Sequence, residues 1–168
     1  MLDASIAMKG SWISRCYDGE GNLKLEEPWD NRIVNEALNY ALETTLKGGA
    51  QKTSWYIGLT GSDPVPAAGD TMASHSGWSE VTNYSEATRQ EWVAGDVAGQ
   101  SVDNSLSVAS FTGDTNGTAV GGAFLVDDST KGGSTGMLYS IGAFDAGNKT
   151  LDANDTLEVT VVLSSSSS

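Results

Sequence analysis

The sequence predicts a mainly β fold, a β-sandwich or partly closed, jelly-roll-like barrel, with one amphipathic helix packed on the sheet. Three observations lead there. Short runs alternate apolar and polar residues, with glycine- and aspartate-rich turns between them. A single stretch carries helical spacing. Neither a strand–helix–strand rhythm nor an internal repeat is visible, which disfavours a doubly wound sheet or a solenoid.

The elements follow in order. Residues 10–17 alternate, with Trp12, Ser14 and Cys16 on one face and Ile13, Arg15 and Tyr17 on the other. Asp18-Gly19-Glu20-Gly21 supplies turn residues, and residues 22–27 return with Leu23 and Leu25 on one face, completing a hairpin. Pro28 ends that strand, and Asp30 or Asn31 is placed to cap a helix. From Arg32, the apolar residues Ile33, Val34, Ala37, Leu38, Ala41, Leu42 and Leu46 form one helical stripe, expected to cover the domain's own sheet. Gly48-Gly49 stops the helix.

Residues 55–59 surround Gly58 with bulky side chains, and a long aperiodic stretch follows to residue 80. A loop of that length inside a domain calls for a function or for disorder. Pro64, Pro66, Trp78 and the sole histidine, His75, favour an ordered loop over a surface. Residues 80–92 lack a period, and Tyr84 and Trp92 are expected to pin them. Strands are then read at 105–111 (Leu106, Val108, Phe111), 118–126, 136–144 and 155–163. Asp114-Thr115-Asn116-Gly117 makes a turn, Gly121-Gly122 a bulge, and a turn around Gly147-Asn148 joins the last two strands. The organisation read is a loose arm at 1–9, one domain at 10–163, and a serine tail at 164–168 that is expected to fray.

The chain of 168 residues is long enough to bury roughly 68–70% of its unfolded surface. Its 22 acidic and 9 basic residues give a net charge of −13. Such a field repels phosphate backbones and anionic membranes, so neither nucleic acid nor a membrane is an expected partner. No window has the length of a membrane span, and Lys9 precedes no signal-like apolar run. Synthesis in a reducing cytoplasm is the expectation. Cys16, the one cysteine, is read as a buried strand filler, since it can make neither an intramolecular disulfide nor a multi-cysteine zinc site.

Chemistry would have to centre on His75, with Ser74, Ser76 and Asp70 nearby. Sequence neighbours rarely form a working triad, and no nucleophile elbow is present, so His75 is read as a loop staple. The carboxylate pairs Glu26-Glu27, Asp127-Asp128 and Asp152 with Asp155 are read as turn and surface acids. Five tryptophans keep a carbohydrate-binding module open as an alternative of another class. No cofactor is expected, since the glycine pairs fit no nucleotide motif. The acidic loops leave a structural calcium open as a minor alternative to no metal, but 114–117 lacks the later ligands of an EF-hand loop and a hairpin turn explains it.

Trp55-Tyr56-Ile57-Gly58-Leu59, followed by residues 67–80 (AAGDTMASHSGWSE), resembles a group of tailed-bacteriophage structural proteins. The likeness extends through Tyr84, Arg89, Trp92, Asn104, Phe111 and Gly122-Ala123-Phe124-Leu125. Gly10-Ser11-Trp12 and Asn31-Arg32-Ile33-Val34-Asn35 share it. The resemblance implies a non-enzymatic virion component, either a capsid decoration (cement) protein or a tail- or fibre-associated one. The capsid is favoured because the chain is one acidic domain without coiled coil or shaft. Its partners would then be the major capsid protein and itself, as a homotrimer on the capsid surface. Contacts are expected from the arm residues Leu2, Ile6 and Met8 or from the region of Trp55, Tyr56, His75 and Trp78.

Overall fold

The computed structural model describes residues 6–167. The chain begins with β1 (Ile6–Tyr17), β2 (Leu23–Asp30), β3 (Arg32–Ile33), α1 (Asn35–Leu46) and β4 (Tyr56–Thr60). It continues with β5 (Glu80–Val81), β6 (Gln90–Glu91), β7 (Ser101–Asp103), β8 (Ala109–Thr112) and β9 (Thr118–Val120). The last strands are β10 (Gly122–Val126), β11 (Leu138–Ala143), β12 (Lys149–Leu151) and β13 (Thr156–Ser167).

Two antiparallel sheets face each other, and neither closes into a barrel. The first runs β2-β1-β13, with β7 and β8 both pairing the far side of β13. The second runs β3-β11-β10-β4, with β5 and β6 on the outer edge of β4; β9 and β12 form a small ribbon. The first face-to-face contacts come from Trp12 and Trp29, which lie side by side at 4.9 Å. Trp29 reaches Phe144 at 5.1 Å and crowds the backbone of Gly142, where any Cβ would meet its ring. The alternation read in the sequence is observed: Trp12 and Cys16 of β1 and Leu157, Val159 and Val161 of β13 all point into this core. Burial pushes the Cys16 thiol pKa up.

Several expectations require correction. Residues 6–9 are no loose arm, and 164–167 are no frayed tail. Ile6 pairs with Ser167, and the ladder runs without a break to Tyr17 opposite Thr156. Ser164 also pairs Ser101, and the Ser165 N–H donates to Gln100. Backbone groups make a ladder whatever the side chains are, so a serine run suffices where neighbours flank it.

The helix starts at Asn35, and neither Asp30 nor Asn31 caps it; the cap position is Val34, with no side-chain bond. Strand pairing takes precedence there, because Arg32 and Ile33 pair with Ile141 and Ser140. The Val34 N–H donates to Tyr139, and the Asn35 N–H to Ala68 of the long loop. Residues 105–108 are not strand, and Leu106 is almost wholly exposed. The run 118–126 breaks at Gly121 into β9 and β10. Gly147 turns with φ of 78° but leads into β12, so β11 and β13 lie in different sheets and form no hairpin.

Candidate protein-contact surface

The residues 61–79 make an ordered cover over the second sheet. Phe124 of β10 projects outward from that sheet across Gly58 of β4, whose own Cβ would strike the ring at 2.3 Å; only glycine lets the ring lie flat on the neighbouring strand. Trp78 packs on Phe124 at 5.1 Å, and His75 stacks on Trp78 at 3.8 Å. Asp70 organises the loop from inside. Its Oδ2 accepts from the Trp78 indole at 3.0 Å and from the Ala67 N–H at 2.9 Å. The His75 Nδ1 lies 3.0 Å from the Thr71 carbonyl, and two backbone bonds, Gly61 to Ser79 and Val65 to Gly77, zip the loop's limbs together. The histidine and the carboxylate of the supposed Ser-His-Asp set therefore serve the loop's own shape.

A buried ion pair lies beside this cover. Arg89, with a fully buried side chain, makes a two-pronged bond to Glu80, Nε to Oε1 at 2.9 Å and Nη2 to Oε2 at 2.8 Å. Its remaining donors reach the carbonyls of Asp128 and Gly133, and its guanidinium sits 5.2 Å from the Phe124 ring centre. One side chain thereby fastens β5, β6 and residues 127–135 to the sheet.

Asp128 anchors the same segment. Its carboxylate accepts from the Thr135 hydroxyl at 2.6 Å and from the Thr130 N–H at 2.7 Å, which lowers its pKa to about 2. A folded-state value below the unfolded one contributes stability above about pH 4 and loses it as pH falls towards about 2. Acid titration of the unfolding free energy is expected to show a small decline in that window, small because the carboxylate is near solvent. Asp18 and Asp103, also lowered by hydrogen bonds, add to it. Asp128→Asn should flatten the decline, and an unchanged acid slope in that variant would count against this assignment.

The expected contact residues do not form one site. Leu2 lies outside the described residues. Ile6 is exposed at the tip of β1, and Met8 is half-buried beside Tyr139 and Leu163 in a shallow cleft that Val97 and Val102 also line. Trp55 and Tyr56 are half-buried at the start of β4, where Trp55 packs edge-on against Tyr40 of α1 at 5.8 Å and Tyr139 at 5.1 Å. Tyr139 thus links Trp55 to the Met8 cleft. His75 and Trp78 belong to the loop cover, and Trp78, 8% exposed, has His75 and Phe124 on its rings. Trp12 and Trp29 are core. Sugar stacking needs a free aromatic face, and Trp78 offers none.

The facing of the apolar stripe on α1 differs from the expectation. The helix packs through Ala37, Tyr40, Ala41 and Thr44, while Leu38, Leu42 and Leu46 are 40%, 59% and 75% exposed. The stripe expected on the domain's own sheet is instead divided, its small residues inward and its leucines out. The available signal was the placement of alanines, which allow close approach to a neighbouring strand, on one side of the stripe alone.

The charges are also sorted. Among the described residues, Arg15, Lys24, Lys47, Lys52, Arg89 and Lys149 engage Glu26, Asp155, Glu43, Asp127, Glu80 and Glu27 in ion pairs. Four of those acids are largely buried: Asp155, Asp127, Glu80 and Glu27. Cations are thereby used inside the fold, and the outer surface keeps the acidic excess.

The geometry defines an antiparallel β-sandwich with an ordered loop layer on one sheet. Compared with protein-family models and with curated proteins, the chain matches none.

Proposed function

We propose that this chain is a non-enzymatic virion structural protein, a decoration (cement) protein that binds the outside of a tailed-phage head and bridges major capsid protein subunits. One observation carries the reading. The side chains with chemical potential, His75, Asp70, Glu80 and Arg89, are engaged as internal struts, while apolar ones such as Ile6, Leu38, Leu42, Leu46 and Val97 face outward. A contiguous exposed apolar stripe such as that of Leu38, Leu42 and Leu46 is a feature of surfaces that meet other proteins. The phage setting rests on the sequence resemblance around Trp55 and residues 67–80, and the acidic exterior suits a soluble protein added to a finished shell.

Many weak contacts, made by many copies that each touch more than one subunit, sum to particle stability by avidity. The protein would be made in the host cytoplasm and act on the capsid surface, without metal or cofactor. Imaging parent particles labelled with an antibody to this chain tests the proposal. Label spread over the head is the expected result. Label confined to the tail would transfer the protein to the tail or fibre apparatus, and unlabelled particles would overturn both placements.

A further inference from the structure

The leucines of α1 lie on its solvent side. With 100° per residue, Leu42 and Leu46 lie nearly opposite the packed side formed by Ala37, Tyr40, Ala41 and Thr44, and Leu38, one turn below Leu42, lies towards its flank. We propose that this stripe is a contact between two copies of the chain, α1 against α1, about a two-fold axis at Leu42. Two features select a second copy over another occupant.

The first is self-complementarity. Leu38, Leu42 and Leu46 form one i, i+4, i+8 ridge, symmetric about its middle residue. An antiparallel copy then sets Leu38 against Leu46 and Leu42 against itself, as a two-fold contact requires. Ridges of this kind interdigitate at a crossing angle of about −50°.

The second is charge. A chain with net charge −13 repels its copies wherever that charge is uncompensated. The stripe is flanked by uncharged Asn35, Asn39 and Thr45. Glu43 is neutralised by Lys47 at 3.0 Å, and Glu36 turns inward to accept from the Leu138 N–H at 2.7 Å. The helix face is thus a neutral island, where copies can approach and where a basic partner would gain nothing from its charge.

Size limits the strength. A helix of 12 residues spans only about 18 Å and covers far less than the roughly 800 Å² per partner of a stable complex. The pair is therefore weak in solution and is reinforced where copies are held close together. A threefold grouping would need a second, different surface.

Sedimentation equilibrium between about 10 and 500 μM is expected to show a monomer–dimer equilibrium, at the weak end of protein affinities. Leu42→Glu should be monomeric throughout with an unchanged melting curve. Leu42→Cys should cross-link to itself under mild oxidation well ahead of Leu106→Cys, a more exposed control far from the helix in sequence. A chain that stays monomeric while Leu42→Cys cross-links no faster than the control overturns the proposal, as does a dimer that Leu42→Glu leaves intact. Binding of the monomer to lipid vesicles or to a non-identical protein, abolished by Leu42→Glu, would give the stripe to that occupant instead. The measurements need no particle, so their failure leaves the shell reading standing.

Discussion

Arg89→Met lowers the free energy of unfolding by about 3–5 kcal/mol, the range for removing one member of a buried ion pair. Methionine fills much of the arginine's volume, so the loss is mainly electrostatic. Glu80 would remain nearly buried, with the Gly132 N–H as its surviving donor, and the carbonyls of Asp128 and Gly133 would lose theirs. For a chain of this size the melting temperature should fall by roughly 6–20 °C. The double variant Glu80→Met with Arg89→Met should recover a large part of that, because two apolar side chains leave no stranded charge. Thermal and urea melts of the three proteins decide the matter. A single variant within about 1 kcal/mol of the parent, or a double variant no better than the single, would show that the pair is dispensable.

Asn104→Ala is expected to cost about 2–4 kcal/mol, with unfolding beginning in the first sheet. Asn104 is fully buried where β7 gives way to β8 along β13, and its amide fills the gap in the ladder. Its Oδ1 accepts from the Val161 N–H at 2.7 Å, and its Nδ2 donates to the Val159 carbonyl at 3.2 Å. Alanine leaves both backbone groups buried and unpaired. Asn104→Asp keeps the acceptor but loses the donor, placing a carboxylate against a carbonyl, so it too should be destabilised at neutral pH. Amide hydrogen exchange gives the direct readout: Val161 protection should collapse in Asn104→Ala and survive in a surface control such as Thr45→Ala. Unchanged Val161 protection would mean that some other group satisfies that N–H.

Local periodicity made much of the sandwich legible. The β1–β2 hairpin, the alternation in β13 and the position of the long loop follow from residues whose partners are near in sequence or whose burial is set by period. What stayed hidden was set by distant partners. Nothing near Asn104 announces that it will complete a ladder with Val159 and Val161, and nothing near Arg89 names the carbonyl of Gly133. Asp70 drew notice as a member of a catalytic set, when its role is to hold the Trp78 indole. Composition misled at 164–167, because serine side chains carry no strand signal although their backbone pairs as well as any other. On α1 the period was right and the facing was wrong. Both sides of a broad apolar stripe look alike in sequence, and steric fit to the sheet chose alanine over leucine.

Seven of the residues on which the sequence-based expectation of a phage protein rests are buried: Gly58, Asp70, Trp78, Arg89, Asn104, Phe111 and Phe124. Burial at these positions accounts for their residue types through internal packing and hydrogen bonding alone, and the exposed leucines are not among them.

The pairing of β1 with β13 has a consequence for how the molecule is born. β1 sits between β2 and β13, and every residue of its twelve-residue register on one side waits for the last strand to be translated. At about 5–20 residues per second, the ribosome holds the first hairpin for many seconds with one long edge open. Contacts between strands so far apart in the chain also form slowly. The first sheet is therefore completed only after β13 has been translated and has left the ribosome, and a nascent chain stalled before residue 156 would present β1 as an unsatisfied edge to chaperones or to other unfinished chains.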